Sequence, residues 1–348
     1  MDNLTNLTAI DAVKYLQKRE ISATDLVYAS INRISEVDKI VNALPTVIFD
    51  KAIEDARYIT DNVPKDIPRG YLYGLPIAIK DLTDVKGVIS TKGSTIYKDY
   101  IPQKSDVLVE NLESKGGVII AKSNTPEFGA GSNTFNDVFG KTLNPWDISK
   151  TCGGSSGGSA VALATGQVWL ATGSDLGGSL RIPASFCSVV GLRPTAGLVA
   201  HGPRILPFSN LAVEGPMGRN VMDLSLLLDA QSGININDPI SMHGNSISYV
   251  DSASMPIRPS KIAYSPDLGI AKVDSEVLEI CSKALSKFES AGSKIELIDS
   301  YFDKAEDTFQ VLRAAYFAMN MDNILKNHRE ELKKEIVWNI EKGLDLTS

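Results

Sequence analysis

Hydrophobic residues recur first at helical spacing. Ile10, Val13 and Leu16 share one face, and Leu26, Val27, Ile31 and Ile34 share another, which predicts two helices. Ser22 to Asp25 has the form of a capping box at the start of the second. A third helix is predicted over "DKAIEDARYI", residues 50–59. The pattern then changes. "GLPIAIKD", 74–81, is apolar until it stops at Lys80, the mark of a buried strand. "SDVLVENLESKGGVIIAK", 105–122, reads as a helix, a Gly-Gly stop and a second buried strand at Val118 to Ala121. "VWLAT", 168–172, predicts a third. Buried strands alternating with helices define an α/β protein with a covered sheet.

The stretch from about 230 to 260 is rich in Ser, Asn, Pro and Gly, and reads as a long surface excursion or hinge. Beyond it "KIAYS" predicts a strand. Val277, Cys281, Ala284, Leu285 and Phe288 form a helical stripe, and "KIELI" predicts another strand. Helices from about Asp303 fill the remainder. No repeat or low-complexity tract interrupts the chain.

Composition narrows the class. Of the 348 residues 43% are hydrophobic and 22% charged, ordinary values for a globular protein. The formal net charge is −7 without a Lys/Arg block, which argues against nucleic acid as a partner. Three cysteines, Cys152, Cys187 and Cys281, make a disulfide framework an unattractive reading and favour a reducing compartment, the cytoplasm. His201, His243 and His328 have no Cys/His ligand spacing, which disfavours zinc. The N-terminus lacks the form of a signal peptide, and no stretch is apolar for long enough to predict a membrane span.

Two glycine-flanked serine clusters carry the candidate chemistry: "GGSSGG" at 153–158 and "LGGS" at 176–179. The first matches Gly-x-Ser-x-Gly, but "NPWDISKTC" before it reads as a loop, not as the strand a nucleophile elbow needs. It also lacks the Gly-Lys-Ser/Thr of a phosphate loop. The second follows a predicted buried strand and precedes a helix start near Pro183. Two glycines there let backbone N–H groups approach a ligand atom, as an oxyanion site requires. The ordinary alternative for Ser179 is a capping serine in a glycine turn. A serine nucleophile needs a base, and no histidine has a motif around it. Lys80, at the end of an apolar run, is the candidate, because burial lowers a lysine's pKa. The alternative there is a lysine whose head reaches water.

Taken together, "GLPIAIKD", "GGSSGGSA" and "GSDLGGSLRIPASFCSVVGLRPT" resemble the amidase signature family, in that order and with Ser155 and Ser179 at the family's spacing. The similarity runs on through "PMGRNVMDLSLLLDA". The resemblance implies an amidase-signature α/β fold, a mixed central sheet covered by helices on both faces. It implies a single domain over 1–348 that lacks the family's C-terminal part. It further implies a Ser–cis-Ser–Lys triad, with Ser179 as nucleophile, Ser155 as bridging serine behind a cis bond to Gly154, and Lys80 as base. Leu176, Gly177, Gly178 and Ser179 would supply oxyanion N–H groups, and Gly129 is counted with these substrate-binding residues. Asp175 and Arg181 would brace the site, with Ser156 beside the bridge.

The expected activity is hydrolysis of a carboxylic-acid amide to acid and amine or ammonia, on a small-molecule substrate, without metal or organic cofactor. A homo-oligomer is left open. Two other readings stand beside it. One is the glutamine-hydrolysing component of a tRNA-dependent amidotransferase, whose usual Arg-Gln-Pro is replaced here by Arg181-Ile182-Pro183. The other is a non-catalytic binding protein on the same fold.

Overall fold

The computed structural model describes residues 4–299 and 302–347. In chain order the strands are β1 (Thr46–Val47), β2 (Pro76–Lys80), β3 (Val118–Ser123), β4 (Phe135–Asn136), β5 (Gly140–Lys141), β6 (Leu170–Asp175), β7 (Val190–Gly191), β8 (Val213–Gly218), β9 (Lys261–Tyr264) and β10 (Lys294–Leu297). The helices are α1 (Ala9–Gln17), α2 (Ala23–Val41), α3 (Phe49–Asp61), α4 (Val107–Ser114), α5 (Gly157–Ala164), α6 (Arg181–Cys187), α7 (Val221–Gln231), α8 (Tyr249–Ser254), α9 (Ser275–Ser290), α10 (Ala305–His328) and α11 (Lys334–Leu344).

The chain divides into two compact units: Met1–Ser254 with Asn323–Trp338, and Met255–Asp322 with Asn339–Ser348. The boundary after Ser254 falls inside the polar excursion read from the sequence.

In the first unit a six-stranded sheet has the order β1-β3-β2-β6-β8-β7. β2 runs parallel to both β3 and β6, whereas β8 is antiparallel to β6 and β7, and β1 is antiparallel to β3. The sheet is therefore mixed, with helices packed against it. Ile77, Ala78 and Ile79 of β2, Val118 to Ala121 of β3 and Leu170 and Ala171 of β6 are fully buried, which accounts for their apolar runs. The capping box of α2 forms as predicted: Ser22 accepts from the Asp25 amide and Asp25 accepts from that of Ser22.

The stretch between the two serine clusters holds a helix that the hydrophobic pattern does not separate out. α5 starts in glycine and has Gly157 through Leu163 buried. A helix buried on all sides has no polar face, so its period leaves no trace in the sequence. Gly158 shows what its glycines are for. A Cβ there would stand 2.3 Å from the Asn124 amide nitrogen and 2.6 Å from the Ala43 carbonyl oxygen, both backbone atoms.

In the second unit β9 and β10 form a parallel pair. The stripe expected on α9 lies on the observed helix, but α9 has no buried residue; Val277, Ile280 and Phe288 are all exposed.

Candidate active site

Lys80 is the last residue of β2, and its side chain is fully buried. Its backbone N–H donates to Thr172 Oγ1 on the neighbouring β6. Its Nζ reaches three hydroxyls: Ser155 Oγ at 2.7 Å, Ser174 Oγ at 2.9 Å and Ser156 Oγ at 3.0 Å. Hydroxyls both donate and accept, so this chamber suits an amine as well as an ammonium. Burial pushes the Lys80 pKa down to about 7, against the opposing pull of Glu214 and Asp175. The lysine is thus enclosed, and does not reach water.

Ser155 and Ser156 occupy the turn that enters α5, and the Gly154–Ser155 peptide is cis. Gly129 lies against this turn; a Cβ built on it would be 3.5 Å from Ser155 Oγ. Ser179 sits half-buried between β6 and α6, at the strand-to-helix junction expected for it.

The two contacts expected of Ser155 do not both form. Its hydroxyl bonds to Lys80, and among the described residues no hydrogen bond joins Ser155 to Ser179. The serine turns are held together through backbone instead: the Ser156 N–H donates to the Ser179 carbonyl at 3.2 Å.

The turn of residues 176–179 is shaped by Asp175, which is fully buried at the end of β6. Its carboxylate accepts from the amides of Gly178 at 2.7 Å and Leu180 at 3.2 Å. It also takes a two-pronged bond from Arg181, Nε at 3.0 Å and a terminal nitrogen at 3.1 Å. Burial pushes the Asp175 pKa up, but Arg181 and the two amides together outweigh it and leave it below the usual carboxylate value. Arg193 adds a bond to the Asp175 carbonyl. The Gly178 amide, counted among the oxyanion donors, is taken up by Asp175. The amides of Leu176, Gly177 and Ser179 have no acceptor among the described hydrogen bonds.

Three contributors carry no clear signal in the sequence. Ser174 is hidden in "GSD", although period-two alternation along β6 puts it on the same face as Thr172, toward Lys80. Arg193 has none either: it reaches the Asp175 carbonyl and, at 3.5 Å, its carboxylate, and also donates to the Leu211 carbonyl, partners that lie 18 residues away on either side. Glu214 lies directly opposite Ser174 on β8, a cross-strand relationship invisible along one chain. The histidines stay out of the chemistry. His201 is held neutral, its pKa pushed down to about 4 by burial and by Arg204, and His328 pairs with Glu331. Among the described residues no group of three His, Cys, Asp or Glu side chains is arranged to hold a metal, and no helix is long and apolar enough to cross a membrane.

A mixed sheet thus delivers a buried lysine to three serine hydroxyls, beside a glycine turn in which the amides of Leu176, Gly177 and Ser179 have no acceptor among the described hydrogen bonds. The profile of the Amidase family matches residues 25–344, and the chain belongs to that family. It is 34% identical to an acylamidase of Rhodococcus erythropolis over 96% of this chain and 71% of that protein. It is equally 34% identical to the A-type subunit of a glutamyl-tRNA(Gln) amidotransferase of Clostridium botulinum, over 96% of this chain and 70% of the relative. Among solved structures, a bacterial aryl acylamidase of the amidase signature family superposes with a TM-score of 0.90 at 26% identity, covering 98% of this chain and 73% of the other. A 6-aminohexanoate cyclic dimer hydrolase superposes with a TM-score of 0.86 at 26% identity, over 99% and 73%. The protein is accordingly a hydrolase of amide C–N bonds.

Proposed function

We propose that this amidase cleaves small acyl amides through an acyl-enzyme on Ser179, with Ser155 and Lys80 as its proton relay. The observation that carries the reading is the 2.7 Å contact between a fully buried Lys80 Nζ and Ser155 Oγ. An amine whose pKa is lowered toward neutrality has the lone pair that a general base needs. Lys80 takes the Ser155 proton as Ser155 takes that of Ser179; Ser179 Oγ then attacks the amide carbon. The missing Ser155–Ser179 bond has to close when substrate binds, as catalytic hydrogen bonds commonly do. The resulting oxyanion is met by the amides of Leu176, Gly177 and Ser179. Reversal of the relay protonates the leaving nitrogen, and water attacking the acyl-enzyme regenerates Ser179.

Phe128, which precedes Gly129 in the chain, stacks edge-on with Tyr97 at 5.9 Å between ring centroids. This half-buried ring pair would suit an aryl or apolar acyl group as part of the substrate. The experiment is labelling by a fluorophosphonate probe with the adduct located by mass spectrometry, alongside hydrolysis of a panel of acyl anilides and aliphatic amides. An adduct on Ser179 and turnover of free amides are expected. Ammonia release from glutamine alone, and only with partner proteins present, would assign the chain to the amidotransferase reading.

A further inference from the structure

Glu214 stands in β8, in register with Ser174 of β6. Residues opposite each other in an antiparallel pair share a face, with Cβ atoms roughly 5 Å apart. Ser174 spends its hydroxyl on Lys80 Nζ at 2.9 Å, so Glu214 is one side chain beyond the lysine's own shell. Its Oε2 is buried, yet has no hydrogen-bond partner. Buried polar atoms are almost always paired, and an exception at the edge of an ionisable chamber calls for a reason.

We infer that Glu214 is a positioning residue for the hydrolysis, acting across Ser174 as counter-charge to the lysinium that Lys80 becomes on taking the Ser155 proton. The inference rests on the reading of Lys80 as the base. In that step the O–H bond of Ser155 breaks and an N–H bond forms at Nζ, so a positive charge appears where no water can solvate it. A carboxylate nearby offsets that charge, and truncating it leaves the ammonium without compensation.

The surrounding charges favour a group that titrates over one of fixed charge. On β6, Asp175 acts on Lys80, but it is already committed to Arg181 and two amides. At the start of α4, Asp106 faces Glu214, and Arg204 faces it from the segment after β7. Arg204 is itself paired with Asp238. α5 and β7 carry no ionisable side chain. On α7, Asp223 accepts from the Ile10 amide and Asp229 from those of Tyr249 and Val250. Burial, with Asp106 adding to it, pushes Glu214 up to about 8, against Lys80 and Arg204. Lys80 and Glu214 therefore exchange protons in the same pH range. Wherever Glu214 is ionised, it holds the Lys80 proton more tightly and makes the amine a stronger base.

The test is the rate of fluorophosphonate labelling of Ser179 against pH, for the full chain and for Glu214→Gln, Glu214→Asp and Lys80→Ala. Gln keeps the shape and removes the ionisation. The Gln variant is expected to reach half its maximal rate at a pH lower by about half a unit or more, with a steeper rise. Its alkaline plateau should fall by about threefold or more, because a weaker base drives proton transfer less well. Glu214→Asp should lie between the two. A folded Glu214→Gln with the wild-type midpoint and plateau overturns the inference. If that variant does not fold, Glu214→Asp decides: a lowered midpoint supports the inference and an unchanged one overturns it. Lys80→Ala separates the two failures. Near-loss of labelling in it, together with an unmoved Glu214→Gln profile, rejects the role of Glu214 alone; wild-type labelling by Lys80→Ala rejects the base itself.

Discussion

The backbone amide of Ser156 donates to the carbonyl of Ser179 at 3.2 Å, so the loop of the proposed relay and the loop of the proposed nucleophile are fastened to one another. The fastening is through backbone alone: the Ser155 hydroxyl is engaged by Lys80, and that of Ser179 makes no hydrogen bond among those described.

Ser179→Ala follows directly. The Ser179 hydroxyl makes no hydrogen bond among those described and the residue is half-buried, so its removal should leave stability within about 0.5 kcal/mol of wild type. Turnover and probe labelling should both vanish. Thermal melts and adduct mapping on the same preparation check the pair of outcomes; an active variant would transfer the nucleophile elsewhere.

Lys80→Ala is expected to lower kcat/KM by about a hundred- to ten-thousand-fold, the range for losing a general base. On the proposed relay the neutral amine is the active form, so kcat/KM should rise with pH through about 7 and level off above it. A profile flat between pH 6 and 9 would be incompatible with Lys80 as the base.

Asp175→Ala removes a buried carboxylate that two amides and an arginine depend on. Loss of a buried partner of this sort costs about 3–5 kcal/mol, discounted here because the Arg181 side chain is 57% exposed. Because the same carboxylate shapes the turn before Ser179, kcat should fall by more than KM rises. Denaturant unfolding and steady-state kinetics test the two halves separately.

Asp106 gives a pH-linked test of stability. Burial raises its pKa from 3.8 to about 7, while it accepts from the amides of Leu108 and Gly202. An acid whose pKa is raised on folding contributes stability that is present below about pH 4 and lost as pH climbs through 7. Asp106→Asn keeps an acceptor oxygen and cannot ionise. It gives up one of the two amide contacts at every pH, so the readout is the pH dependence: relative to the wild type, Asp106→Asn should gain on the order of 1 kcal/mol or more between pH 4 and pH 8, as read from unfolding midpoints across pH.

Gly158→Ala tests why the first serine cluster is rich in glycine. The added Cβ would collide with backbone of residues 43 and 124, which cannot rotate aside. A loss of about 1–3 kcal/mol is expected, the range for overpacking a core. A stable variant would show that α5 can move off its neighbours.

The same residues show what the sequence can and cannot disclose. β2 and β3 are readable because strands buried on both faces become unbroken apolar runs, and α2 because its cap is a local motif. The apolar pattern places β6 early, at Val168 to Thr172, whereas it occupies Leu170–Asp175; its polar end belongs to the site and breaks the apolar run. α5 is invisible for want of a polar face. Lys80 and Ser179 stand out as candidates from a strand end and a glycine turn, each with an ordinary alternative beside it, whereas Ser155 enters through the family resemblance, because the loop before it has no strand pattern. Ser174 and Glu214 are not legible, because what makes them relevant is register between strands that are far apart in the chain.

That β2 and β6 are parallel neighbours has a bearing on how such a protein diverges. Parallel strands end at the same edge of a sheet, and their separation of about 4.8 Å is dictated by peptide geometry, not by any side chain. Lys80 and Asp175 each close one of these strands, so the proposed base and the turn leading to Ser179 are placed by a ruler that mutation cannot rescale. On the proposed roles, helices and surface segments would be free to drift and reshape what enters the chamber, while the spacing of these two strand ends would stay as the sheet sets it.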